Sequence, residues 1–154
     1  MKIAILGATK GMGRALARRM AERGDSLFLL GRDADELARS ASDLAARGAT
    51  GRVDGAVCDL EKPDTFDSAL EAAEKALSGL DAVVVTAGLF ATQDELEADP
   101  LLAERVLRVD FANTVLFCEA ARKRLLARGG GKLCVFSSVA GERGRKPVVI
   151  YGAA

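Results

Sequence analysis

Two groupings of residues in this sequence could do chemistry. The first is Gly7-Ala8-Thr9-Lys10-Gly11-Met12-Gly13, which follows a short apolar run and leads straight into an amphipathic stretch. Glycine at 7 permits a tight turn, and glycine at 11 lets the backbone come close to a phosphate. Glycine at 13 lets a helix pack near the preceding strand, and the helix N-terminus offers unpaired N–H groups to an anion. The second grouping is Ser137 and Ser138 followed by Tyr151, the one tyrosine in a chain with no histidine. The absence of histidine excludes Ser-His-Asp and Cys-His triads and every histidine metal site. Proton transfer therefore falls to carboxylates, lysine, serine, cysteine or Tyr151.

These residues need elements to position them. The apolar runs Lys2–Leu6, Ser26–Leu30, Val53–Cys58, Ala82–Thr86 and Lys132–Ser137 are short, with little polar alternation. Strands of a parallel sheet covered on both faces read this way. Helical patterns lie between them. Gly13–Arg23 puts Leu16, Ala17 and Met20 on one face; Asp33–Arg47 opens acidic and closes at Gly48; Pro63–Leu77 starts with proline; and Pro100–Arg128 stops at three glycines. The acidic segment Gln93–Asp99 is expected to be a solvated loop or helix edge. With right-handed crossovers, this β-α alternation predicts a doubly wound α/β domain with a five-stranded parallel sheet. No repeat, low-complexity tract or linker interrupts it, so residues 1–154 read as one domain.

Composition narrows the function classes. The chain has 154 residues, 22 of them lysine or arginine and 22 aspartate or glutamate, so its formal net charge is zero and gives no support to nucleic-acid binding. Cys58, Cys118 and Cys134 form no C-x-x-C and read as buried small hydrophobes in a reducing cytosol. The apolar run at the N-terminus is too short for a signal peptide or membrane span, so a cytoplasmic protein without a membrane partner is expected.

Opening a β-α-β-α-β series, the glycine-rich turn reads as a dinucleotide site. Its G-x-x-x-G-x-G spacing resembles that of the short-chain dehydrogenase/reductase family, and further matches follow in order. Cys58-Asp59-Leu60 resembles the stretch with the family's aspartate beside the adenine. Thr86-Ala87-Gly88 resembles its N-A-G element, with Thr86 in the asparagine position. Phe136-Ser137-Ser138-Val139-Ala140-Gly141 resembles the stretch holding the catalytic serine, and Tyr151-Gly152-Ala153-Ala154 the first four residues of Y-x-x-x-K. Ser138 lies thirteen residues before Tyr151, a separation typical of the family.

The resemblance implies a Rossmann fold, a doubly wound sheet of five parallel strands in the order 3-2-1-4-5, and hydride transfer between a nicotinamide and a small alcohol or ketone. Tyr151 would be the general acid/base, and Ser138 would hold the substrate oxygen. Cofactor contacts are expected from Gly7, Thr9, Lys10, Gly11, Met12, Gly13, Arg32, Asp59, Leu60, Ala87 and Gly88. At the end of the second strand an NAD site normally offers an acidic side chain to the ribose 2′-hydroxyl. Here Leu29-Leu30-Gly31-Arg32 has glycine at that position and arginine after it, with Lys10 a second cation, so the cofactor is expected to be NADP(H). Asp33, the next acid, reads as a helix cap.

Two features depart from the family pattern. Val109-Asp110-Phe111-Ala112-Asn113 puts Asp110 where the family has a catalytic asparagine, and Asn113 where glycine is common. Asp110 is open to two readings: a catalytic residue that holds a water, with a charge that would disturb the proton relay, or service to its own helix. The family's lysine would fall one residue beyond Ala154, so the chain is expected to be the front part of a longer enzyme, inactive alone, with roughly a hundred further residues. The family's habit implies a homodimer or homotetramer built through the long helix. A non-catalytic nucleotide-binding module is the alternative reading.

Overall fold

The computed structural model describes residues 1–154. Strands β1 (Lys2–Leu6), β2 (Ser26–Gly31), β3 (Val53–Val57), β4 (Ala82–Val85) and β5 (Lys132–Val135) form one parallel sheet in the order β3-β2-β1-β4-β5. The helices α1 (Gly11–Glu22), α2 (Ala34–Ala46) and α3 (Phe66–Leu77, entered through a 3-10 turn at Pro63–Thr65) connect the first four strands. Between β4 and β5 come α4 (Gln93–Ala98), α5 (Pro100–Val106), a wide π-helical turn (Leu107–Asn113) and α6 (Thr114–Ala127). After β5, a 3-10 turn at Lys146–Val148 opens α7 (Val149–Ala153).

The period of two in a strand explains why the central strands are apolar throughout. Ala4 and Leu6 of β1, with Phe28 and Leu30 of β2, face α3 and α6 and pack on Phe66, Leu70, Phe117 and Leu125. Their neighbours Ile3, Ile5, Leu27 and Leu29 face the opposite way, onto Ala17 and Ala21 of α1 and Leu37 and Leu44 of α2. A T-shaped contact between Phe66 and Phe117, centroids 5.4 Å apart, joins α3 to α6.

The structure corrects the sequence reading in several places. β3 and β5 are not covered on both faces: β3 is mostly half-exposed and every residue of β5 is exposed. They are the two sheet edges, where a neighbour is missing on one side. The strands also stop earlier than expected, leaving Cys58, Thr86 and Ser137 outside. Cys58 and Thr86 still donate backbone N–H groups to Gly31 and Leu6, at 2.9 and 2.8 Å, so pairing continues there on one side only. Helix α1 begins at Gly11, two residues before the expected start.

The single helix expected over Pro100–Arg128 is divided by the wide turn. Gln93–Asp99 is largely the helix α4, closed by a reciprocal capping box between Thr92 and Glu95. Of the cysteines, Cys58 is buried, and burial pushes its thiol up to about 11; Cys118 is half-buried and Cys134 exposed on the edge strand. No helix is long and apolar enough to cross a membrane.

Candidate active site

The C-terminal ends of the strands open onto two adjoining cavities of about 410 and 360 Å³. All eleven residues expected to touch the cofactor line the larger one: Gly7, Thr9, Lys10, Gly11, Met12, Gly13, Arg32, Asp59, Leu60, Ala87 and Gly88. Asp110, Ser138 and Tyr151 line the smaller one. Met12, Thr86, Ala87, Gly88 and Leu89 belong to both walls, so the two spaces lie side by side along this segment.

The glycine-rich turn owes its shape to contacts only glycine allows. Gly7 has φ +93°, and a Cβ there would meet the Ala87 nitrogen at 2.5 Å; one on Gly13 would overlap the Gly7 carbonyl oxygen. Helix α1 therefore sits directly against the end of β1. Thr86 Oγ1 donates to the Leu6 carbonyl at 3.0 Å, securing the same junction from β4. Nothing caps α1: Lys10 makes no side-chain cap bond, and the first turn has no acidic residue. Its first-turn residues Gly11, Met12 and Gly13 line the larger cavity, where a pyrophosphate would be received. By contrast, Asp33 caps α2, accepting the Glu36 N–H at 3.0 Å, as the sequence predicts.

The second cavity brings distant segments together. Tyr151 is half-buried on α7, and its ring meets Phe90 edge-on with centroids 5.0 Å apart. A Cβ on Gly152 would meet the Ala140 carbonyl oxygen at 2.6 Å, so glycine at 152 lets α7 close onto the turn that carries Ser138. Ser138 Oγ accepts the Ala140 N–H at 3.2 Å, which leaves its own O–H free to donate. The Ile150 N–H donates to Gln93 Oε1 at 3.1 Å, so α4 anchors the start of the tyrosine helix.

The wide turn has a positioning role that sequence reasoning missed. Asp110 Oδ1 accepts the Leu89 N–H at 2.7 Å, holding the loop after β4. Three residues on, the buried Asn113 donates Nδ2–H to the Leu60 carbonyl at 2.5 Å, holding the loop after β3. One turn of helix thus fixes a wall of each cavity. Sequence reasoning also missed Arg14, whose Nε donates to the Thr9 carbonyl at 2.7 Å, and Phe90. The position of Arg14 directly after the glycine-rich turn was the available signal for it, and for Asn113 the signal was an asparagine where the family commonly has glycine; Phe90 offered none.

Burial pushes the Asp110 carboxyl above its usual range, while the Leu89 N–H pulls it back. With the folded value above the unfolded one, ionisation costs stability as pH rises through the folded value. Asp110→Asn keeps an acceptor for Leu89 and removes the charge. It is expected to raise Tm near neutrality, with the gain vanishing in acid, where the native carboxyl is protonated too. Melting curves at about pH 3 and about pH 7 test this. No gain at neutrality, or the same gain at both, counts against it.

The family model described as short chain dehydrogenase matches residues 1–154. The chain is 32% identical over 152 residues to 2-(S)-hydroxypropyl-CoM dehydrogenase 3 of Xanthobacter autotrophicus, covering 99% of this chain and 59% of that protein. It is 35% identical over 153 residues to an uncharacterised oxidoreductase of Streptomyces coelicolor, covering 97% and 59% respectively. The crystal structure of a short chain dehydrogenase from Mycobacterium smegmatis superposes with a TM-score of 0.90 at 25% identity, over 99% of this chain and 64% of that one. The chain thus spans 59% of the length of these two curated relatives. Fold, glycine-rich turn and sequence agree: the chain belongs to the short-chain dehydrogenase family of oxidoreductases.

Proposed function

We propose that this chain forms the cofactor site and much of the catalytic pocket of an NADP(H)-dependent oxidoreductase. It would move a hydride between the nicotinamide and the carbonyl or alcohol carbon of a small substrate. The carrying observation is the adjacency of the two cavities along Met12 and Thr86–Leu89, with an uncapped helix and two cations on one and a serine and a tyrosine on the other.

The residues present fit the dinucleotide. The cradle at Gly7 and Gly13 would be filled by any Cβ, the N-terminus of α1 is free for a pyrophosphate, and Lys10 and Arg32 are exposed cations on the groove. A bound nicotinamide supplies or accepts the hydride. Ser138 donates its O–H to the substrate oxygen and fixes its direction, and Tyr151 delivers or removes the proton on that oxygen. Phe90 meets the tyrosine ring edge-on and so helps to set its orientation. Asp110 orders the Gly88–Leu89 segment, along which the two spaces lie side by side.

Leu107, Phe111 and Val115 are exposed, four residues apart, on the wide turn and the start of α6, with Leu116 beside them. This apolar stripe supports a homodimer or homotetramer. A second reading, a nucleotide-binding module without turnover, is favoured by Asp110, whose carboxylate replaces a neutral amide in the pocket. NADPH consumption against a panel of small ketones, measured on the protein at its full natural length, separates the two. Turnover supports the enzyme; tight NADPH binding with no turnover on any ketone or alcohol supports the module.

A further inference from the structure

We propose that Arg14 determines specificity for the dinucleotide's 2′-phosphate by masking the Glu36 carboxylate in the groove wall; this rests on the NADP(H) reading above. Glu36 stands in the first turn of α2, just beyond Arg32, and lines the same cavity as Lys10 and Arg32. It also lines a wholly polar hollow of about 350 Å³ between α1 and α2, together with Arg14, Arg18 and Arg39. Glu36 therefore contributes to the walls of both spaces. Bare, it would repel a group carrying up to two negative charges on the groove side.

It is not bare. Arg14 takes Oε2 at 3.3 Å and Arg39 takes Oε1 at 2.8 Å, so each oxygen has its own guanidinium. The two are not equivalent. The Arg39 side chain is 63% exposed, whereas that of Arg14 is 39% exposed and is folded back by its Nε bond to the Thr9 carbonyl. Arg14 is thus the ordered half of the mask. The same side chain links the turn that carries Lys10 to the helix that follows Arg32, fixing the span between the two cations. Losing Arg14 would free the Thr9 carbonyl, which weakens any dinucleotide. It would also leave Glu36 with the exposed Arg39 alone, a half-masked negative charge that repels the added charges of a 2′-phosphate more than it repels NADH.

The two effects separate in a titration of NADPH and NADH against wild type, Arg14→Ala, Arg14→Lys and the double variant Arg14→Ala/Glu36→Gln. Arg14→Ala is expected to weaken both cofactors and to weaken NADPH by about fivefold more. Adding Glu36→Gln restores the NADPH:NADH ratio but not the common loss. Arg14→Lys keeps the ratio, because the charge remains. The shift in ratio shrinks in 1 M salt, where screening is nearly complete, which a purely structural loss would not do. If Arg14→Ala does not fold, Arg14→Gln is read in the same way. An unchanged ratio in the single variant, or an unrestored ratio in the double one, overturns the proposal while the preference of the wild type for NADPH stands. Tighter NADH than NADPH binding in wild type overturns the underlying reading and the proposal with it.

Discussion

Tyr151→Phe is expected to lower kcat/KM for a carbonyl substrate by about 10²- to 10⁴-fold, the range for losing a positioned proton donor. NADPH affinity is expected to change by less than about twofold, since the groups that would hold its phosphates, the glycine-rich turn with Lys10 and Arg32, line the other cavity and are untouched. Phenylalanine keeps the ring, so the edge-on contact with Phe90 at 5.0 Å and the closure of α7 on Ala140 survive. The bond from Ile150 to Gln93 is made by backbone and is untouched. Only the acidic proton is lost. Near-normal turnover would move the proton to another group in that cavity, where Ser138 and Asp110 are the remaining candidates. Parallel measurement of NADPH binding distinguishes a chemical defect from a collapsed site.

The doubly wound sheet was legible because five apolar runs separated by helical patterns, with right-handed crossovers, close into one sheet; the order 3-2-1-4-5 needed the family resemblance as well, since those crossovers also allow 2-1-3-4-5. The glycine-rich turn was legible because backbone approach needs glycine, and the structure shows what a Cβ at Gly7 or Gly13 would strike. The wide turn at Leu107–Asn113 was hidden. Side chains such as Val106, Val109, Phe117 and Ala121 are apolar and buried on both sides of it, so the pattern ran on as one helix. Its consequence, Asp110 and Asn113 reaching two different loops, is a pairing of polar groups far apart in sequence, which periodicity does not encode. The exposure of β5 was hidden for a related reason: Leu133 and Val135 are residue types of a buried strand, and position at the sheet edge alone exposes them. Arg14 stood next to a recognised motif, yet its bond to Thr9 depends on how the side chain folds back.

Arg32→Ala is expected to weaken NADPH binding by about 10- to 100-fold, the worth of a charge-assisted hydrogen bond of roughly 1.5–3 kcal/mol, and to leave NADH almost unaffected. Arg32 follows Gly31, whose carbonyl is held by the Cys58 N–H at 2.9 Å, so the backbone that presents it is tied to the neighbouring strand. It lines the larger cavity and is exposed. The carboxylates around it are engaged elsewhere: Asp33 caps α2, Glu61 pairs with Arg105, and Glu36 is shared by Arg14 and Arg39. A guanidinium free on the groove can grip a 2′-phosphate bidentately, whereas the 2′-hydroxyl of NADH gives it no charge to meet. Lys10, exposed on the other side of the groove, adds a point charge that Arg32→Ala leaves in place, so the loss is large but not total. Calorimetric titration of both cofactors against wild type and variant decides it. Equal losses for the two would make Arg32 a general binding residue, and tighter NADH binding by wild type would reverse the cofactor assignment, because with glycine at 31 no acidic side chain occupies the position from which a ribose 2′-hydroxyl is normally held.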